Sequence, residues 1–152
     1  MIKVILVDDE PIFRTGLRSI VCWADHDCEI VGEASNGAEA LQLIRAKAPD
    51  LVFLDIKMPA VDGIQVLKEC RALPKPPCFI VLSCFNEYNY VREAMKLGAI
   101  DYLFKPLMEG PDIEKVLQEA CERLGAPVAG AEEKQREGRR QEALARLLQG
   151  GE

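Results

Sequence analysis

The run Asp50-Leu51-Val52-Phe53-Leu54-Asp55-Ile56-Lys57-Met58-Pro59 decides how the chain is read. Leu51 to Leu54 is a short apolar stretch bounded by turn signals, the pattern of a strand buried on both faces as in a parallel sheet. Asp55 falls where that strand ends, so its carboxylate projects from the edge of the sheet. Pro59 and then Asp62-Gly63 close the strand and open a loop. A strand followed by an aspartate is common, and its weight depends on what the other strand ends carry.

Working outward, Ile2–Val7 reads as a first buried strand, ending in Asp8-Asp9-Glu10. Pro11 suits the first turn of a helix, where its missing N–H costs little, and Phe13, Leu17, Ile20 and Val21 recur at helical spacing. Glu29–Glu33 is a second strand. Asn36 with Glu39 resembles a capping box, and Gly37, Ala40, Leu41, Ile44 and Ala48 mark the inner face of a helix that Pro49 stops. Beyond the third strand, Asp62 caps a helix with Val66, Leu67 and Cys70 inward. Cys78–Leu82 is a fourth strand ending at Ser83. The helix from about Glu87 to Leu97 turns Val91, Ala94, Met95 and Gly98 to one side. Ile100–Phe104 is a fifth strand, ending at Lys105-Pro106, and Ile113, Val116, Leu117, Ala120 and Leu124 outline a last amphipathic helix. Strands alternating with helices predict an α/β fold. Right-handed crossovers place helices on both faces of the sheet, and ligands in such folds bind at the carboxyl ends of the strands.

The chain has 152 residues, enough for one domain and a little more. Its net charge of -6 argues against a general nucleic-acid surface. No run approaches the ~20 apolar residues of a membrane span, and no basic leader precedes the first strand, so a cytoplasmic protein is expected. Cys22, Cys28, Cys70, Cys78, Cys84 and Cys121 show no CxxC pair and are expected to be small buried hydrophobes rather than zinc or redox residues. His26, the one histidine, is expected on the surface of a polar loop, away from the strand ends. Residues 125–131 (GAPVAGA) read as a linker, and 132–152 as a charged helical tail whose apolar residues are Ala143, Leu144, Leu147 and Leu148 with Ala145, too little for a core without a partner.

Asp8, Asp9, Asp55, Ser83 and Lys105 thus all land on one edge of the sheet. Strand ends are often polar merely because they leave the core. That explains polarity, but not three carboxylates, a hydroxyl and a lysine converging. Carboxylates held together repel unless a cation is present, and a hard divalent ion with oxygen ligands, Mg²⁺ above all, would suit them. Phosphoryl transfer needs this set of parts: a carboxylate nucleophile, a metal and a lysine for developing charge, and a hydroxyl donor. Asp55, alone at the end of a central strand, is the nucleophile expected, with Asp8 and Asp9 as a metal-holding pair.

Taken together, Asp8-Asp9, Asp55 with Met58-Pro59, Asp62-Gly63, Ser83 and Lys105-Pro106 resemble the receiver domain of two-component response regulators over residues 1–124. The resemblance implies a flavodoxin-like (βα)5 doubly wound sheet in the order 2-1-3-4-5. It implies that Asp55 accepts a phosphoryl group from a sensor histidine kinase, and that Mg²⁺ is bound by Asp9, Asp55 and the backbone carbonyl of Lys57, with Asp8 assisting. Lys105 would pair with the phosphoryl group across a cis Lys105–Pro106 peptide. Ser83 would swing toward the phosphate and Tyr102 would turn inward with it; otherwise Tyr102 is a half-buried strand tyrosine with no switching role. Lys57 and Phe85 occupy positions that influence phosphoryl lifetime in receivers, and a bulky Phe85 is expected to shield the site and slow autodephosphorylation.

The run Ser83-Cys84-Phe85-Asn86-Glu87-Tyr88-Asn89-Tyr90, with Leu97 to Pro106, is similar to receivers of the AraC/YesN type, in which a helical linker leads to a DNA-binding domain. The implied function is a switch with transcriptional output, DNA being touched only through a domain that this chain does not contain, and with homodimerisation left open. The alternatives are a stand-alone receiver acting by protein contact, an aspartyl-phosphate phosphatase, and a flavodoxin-like cofactor binder. Lys57 stands where such a phosphatase has a second carboxylate, and no phosphate-cradling loop follows the first strand.

Overall fold

Apolar runs too short for helices form the sheet. The computed structural model describes residues 1–125. Its elements follow in the order β1 (Ile2–Val7), α1 (Pro11–Ile20), a 3-10 turn (Trp23–His26), β2 (Cys28–Ala34), α2 (Gly37–Lys47), β3 (Leu51–Asp55), α3 (Gly63–Cys70), β4 (Cys78–Ser83), α4 (Tyr88–Lys96), β5 (Asp101–Phe104), a second 3-10 turn (Lys105–Leu107) and α5 (Gly110–Leu124). The sheet is parallel throughout in the order β2-β1-β3-β4-β5, as expected. Residues Met1–Ala120 form one compact unit, and a second begins at Cys121 within the last turns of α5. The tail expected at 132–152, and all of the 125–131 linker except Gly125, lie outside the described residues.

β3 sits at the centre, and Leu51, Val52, Phe53 and Leu54 are fully buried. That matches a strand covered on both faces. Phe53 meets Trp23 edge-on at 5.5 Å between ring centroids. The Trp23 indole N–H donates to the Leu17 carbonyl at 3.1 Å, so the 3-10 turn, which has no periodicity to announce it, is pinned to α1 by its aromatic ring. At the start of α2, Asn36 Oδ1 accepts from the Glu39 backbone N–H at 2.9 Å. The Glu39 carboxylate takes the Asn36 and Ser35 side chains, not the backbone N–H that a complete capping box would use.

Three expectations about inward faces need correction. Ala48 is not on the inner face of α2: it is exposed, in the left-handed region (φ 46), and ends the helix before Pro49. Met95 of α4 stands 39% exposed, because the sheet beneath this end of the helix leaves an open cavity. Of the six cysteines, only Cys28 and Cys70 are buried; Cys78, Cys84 and Cys121 are half-buried and Cys22 is exposed, because they fall at element ends and in loops rather than at core positions. None is in a disulfide, and burial pushes the Cys70 thiol up to about 11. His26 is half-buried in its turn, with Nε2 4.0 Å from Glu114 Oε2.

Candidate functional site

Parallel strands with right-handed crossovers bring every carboxyl end to one edge, and the order places β1 and β4 on either side of β3. Asp8 directly follows β1, Asp55 is the last residue of β3, Ser83 the last of β4, and Lys105 directly follows β5. Asp8, Asp55 and Ser83 are all buried, at 0%, 4% and 3% exposure. Asp9 and Glu10 are exposed at the rim. Behind Asp55, the first turn of α3 packs against the end of β3. A Cβ on Gly63 would lie 2.7 Å from the Asp55 carbonyl oxygen and from the Ile56 Cα, which is why Asp62-Gly63 opens this helix. Asp62 Oδ1 caps it by accepting from the Gln65 N–H at 3.0 Å.

Lys105 reaches across this edge. Its Nζ lies 2.7 Å from Asp8 Oδ2, 2.9 Å from Glu10 Oε1 and 3.7 Å from Asp55 Oδ2, and 4.4 Å from the Phe13 ring centroid. Burial disfavours the Lys105 charge, but Asp8 and Glu10, and behind them Asp55, more than offset it and hold the ammonium protonated above its usual range. Asp8 Oδ1 accepts the Glu10 backbone N–H at 2.8 Å. Its fully buried Oδ2 has the Lys105 ion contact but no well-aligned hydrogen bond. Arg14 donates to the Asp8 carbonyl and to Glu33, which ties the base of the site to α1 and β2.

Asp55 Oδ1 accepts a long 3.4 Å bond from the Lys57 N–H. Burial first, and the neighbouring Asp8 charge second, push its carboxyl up from 3.8 to about 8, with Lys105 pulling the other way. Burial also raises Asp8. Three acids, Asp8, Glu10 and Asp55, therefore gather around one lysine, and a carboxyl oxygen of each of Asp8, Asp9 and Glu10 lies within 4.8 Å of the others. An under-coordinated buried carboxylate oxygen within a set of hard oxygen donors fits a divalent cation such as Mg²⁺.

Of the five residues picked out at the strand ends, Asp8, Asp55 and Lys105 are brought into contact, with Asp9 beside Asp8 at the rim. Ser83 faces another way: its hydroxyl donates to the Leu103 carbonyl at 3.4 Å. Tyr102 is 51% exposed and lines the cavity between β5 and α4. Phe85 is 69% exposed and packs edge-on against Phe104 at 4.8 Å, so this ring is occupied on the β5 side and the shielding expected of it is not seen. Lys57 Nζ lies 5.6 Å from the Tyr90 ring centroid on α4. The expected cis peptide at Lys105–Pro106 is trans, since no described bond is cis. Pro106 sits in a 3-10 turn with the isomer that a prolyl amide favours by about 0.5–1 kcal/mol. Glu10 was missed as a partner of Lys105. Its place before Pro11 marks it as a helix-start residue, and nothing local shows that it meets a lysine 95 positions away.

Residues 4–118 match the sequence pattern of the response regulator receiver domain. The chain is 42% identical over 109 residues to YesN of Bacillus subtilis, described as an uncharacterized transcriptional regulatory protein, covering 72% of this chain and 30% of YesN. It is 38% identical over 118 residues to the nitrate/nitrite response regulator NarL of Escherichia coli, covering 78% of this chain and 54% of NarL. The chain therefore spans between about a third and about half of these relatives. Among solved structures, the REC domain of AraT from Geobacillus stearothermophilus superposes with a TM-score of 0.76 at 35% identity, covering 81% of this chain and 95% of that one.

Proposed function

The chain belongs to the response regulator receiver domain family, and from that premise we propose that Asp55 accepts a phosphoryl group from a phosphohistidine on a sensor kinase and so switches a transcriptional output. The observation that carries this reading is the Asp55 carboxylate itself: 4% exposed at the end of the central strand, with a lysine ammonium 3.7 Å from Oδ2. In the reaction an Asp55 oxygen bonds to phosphorus, the phosphorus–nitrogen bond breaks, and the imidazole departs with the electron pair. Lys105 gives up part of its contact with the carboxylates to meet the incoming phosphoryl oxygens. Mg²⁺, held by Asp9, Asp55 and the Lys57 backbone carbonyl with Asp8 assisting, supplies neutralising charge when bound.

The new group adds charge and strong acceptor oxygens beside β4. Ser83 then turns its hydroxyl from Leu103 to the phosphoryl group, and Tyr102 moves from its exposed position into the space this opens. The altered surface of α4, β5 and α5 meets the output partner. On this reading the chain is a signalling domain that promotes its own phosphorylation and dephosphorylation and acts on no external substrate. Its kinase contact is in the cytoplasm; no described helix is long and apolar enough to cross a membrane. DNA is reached only through an output domain outside this chain, and pairing of two copies is the route by which such a domain would read a two-part site.

Intact mass after incubation with acetyl phosphate and Mg²⁺ tests the reading. One phosphoryl adduct is expected on the wild type and none on Asp55→Asn or in EDTA. A folded wild type that acquires no adduct would rule it out.

A further inference from the structure

The loop between β4 and α4 is closed by one side chain. The Cys84 backbone N–H donates to Glu87 Oε1 at 2.7 Å. Glu87 is the N-cap residue of α4, yet its side chain caps nothing in that helix; it reaches back across the loop instead. Between them, Asn86 takes the left-handed region at φ 65, a conformation uncommon for residues with a Cβ though asparagine accepts it more readily than most. The loop is therefore held in this shape by one carboxylate and by the Phe85 ring packed on Phe104. The other ties of α4 that involve charge are weaker and outward: Lys57 over Tyr90 at 5.6 Å, and Lys68 to Glu93 at 3.8 Å between half-exposed side chains.

The amide that Glu87 occupies stands at the candidate site. Asp55 pairs in register with Leu82, and the Ile56 N–H donates to the Leu82 carbonyl at 3.0 Å, so Ser83 and Cys84 run on beside the end of β3. Burial raises the Cys84 thiol, and Lys105, Glu87, Asp55 and Glu10 lie near enough for their charges to act on it as well. We propose that Glu87 is a latch: its carboxylate holds the Cys84 amide in the resting chain and competes for that donor with a phosphoryl group on Asp55. This rests on the reading of Asp55 as phosphoacceptor. A single N–H shared between two anions bonds each less well than one alone, and a phosphoryl group beside a carboxylate repels it. Phosphorylation thus transfers the amide from one anion to the other and releases Glu87.

The released carboxylate has somewhere to go. The first N–H groups of α4 lack a side-chain cap, and a carboxylate at a helix N-terminus is favoured both by hydrogen bonding and by the helix dipole. The loop has room to move as well. Phe85, Tyr88, Met95 and Tyr102 border an apolar cavity of about 670 Å³ on this side of the sheet. Glu87 accordingly sets the threshold for the switch without touching the reacting atoms, as a positioning residue.

Two measurements on the 152-residue chain test this. The first is amide hydrogen exchange at Cys84 without phosphorylation, in the wild type, Glu87→Gln and Glu87→Ala. Protection is expected in the wild type, about tenfold faster exchange in Glu87→Ala, and an intermediate rate in Glu87→Gln, which keeps an acceptor oxygen without the charge. The second is binding of beryllium trifluoride with Mg²⁺, followed by fluorine NMR. Glu87→Ala is expected to bind about threefold to tenfold more tightly than the wild type. A residue needed only for loop stability would weaken binding when removed, not tighten it. An unprotected wild-type Cys84 amide, or trifluoride binding that Glu87→Ala leaves unchanged, overturns the latch alone. A wild type that binds no trifluoride overturns the Asp55 reading and the competition with it.

Discussion

Asp55 is held in a state that the fold itself makes costly. Its carboxyl is raised from 3.8 to about 8, first by burial and then by Asp8. An acid whose folded value is raised stabilises the fold at pH values below its unfolded value. That contribution is lost as the pH climbs through the folded value, so here the loss runs from about pH 4 to about pH 8. Asp55→Asn cannot ionise and is exempt. In EDTA at about pH 9 the variant should be more stable than the wild type by about 2–6 kcal/mol, with the difference closing toward about pH 4. Denaturant titrations across that range check it, and a difference that does not grow with pH would contradict the burial argument. That Asp55 ends its strand was readable from Leu51-Val52-Phe53-Leu54. Its protonation was not, because it depends on Asp8 and Lys105, which join it only across three strands.

At the scale of elements, the edge of the sheet works because α3 starts close behind it. Gly63 has no Cβ, and one would meet the Asp55 carbonyl and Ile56 Cα at 2.7 Å, both of them backbone atoms that cannot swing aside. Gly63→Ala should therefore push the first turn of α3 away from β3 and cost about 1–3 kcal/mol. It should also slow phosphorylation by acetyl phosphate, as Asp55 is displaced. Urea unfolding and intact-mass time courses report the two effects, and a variant as stable as the wild type would show that the helix can retreat freely. The Asp62 cap and the glycine after it could be read from the sequence as a helix start. The cap on α2 was also legible, though Glu39 spends its carboxylate on side chains. The 3-10 turn carrying Trp23 was not, since four residues are too few to display a period.

Across the whole molecule, charge is distributed against stability at one place. The chain carries -6 overall, and Asp8, Glu10 and Asp55 share Lys105 while Asp9 crowds Asp8 and Glu10. A divalent cation should relieve this. Mg²⁺ at 100 times its dissociation constant should add about 2.7 kcal/mol of stability. At one fixed Mg²⁺ concentration the gain should be larger at about pH 8 than at about pH 6, because the cation displaces the proton on Asp55. Thermal melts with Mg²⁺ and then EDTA measure this, and an equal gain in Asp55→Asn would remove Asp55 from the metal site. What the sequence determined by itself was the order of elements, the parallel sheet and the meeting of Asp8, Asp9, Asp55, Ser83 and Lys105 at one edge. Short apolar runs alternating with helical periods leave little else, and right-handed crossovers send all carboxyl ends the same way. The tertiary structure alone decided which partner each side chain holds: Lys105 with Asp8 and Glu10, Ser83 with Leu103, Glu87 turned back to Cys84, and Tyr102 outward. A strand end has a predictable place, whereas a rotamer and a burial depend on neighbours from distant parts of the chain, which only packing brings near.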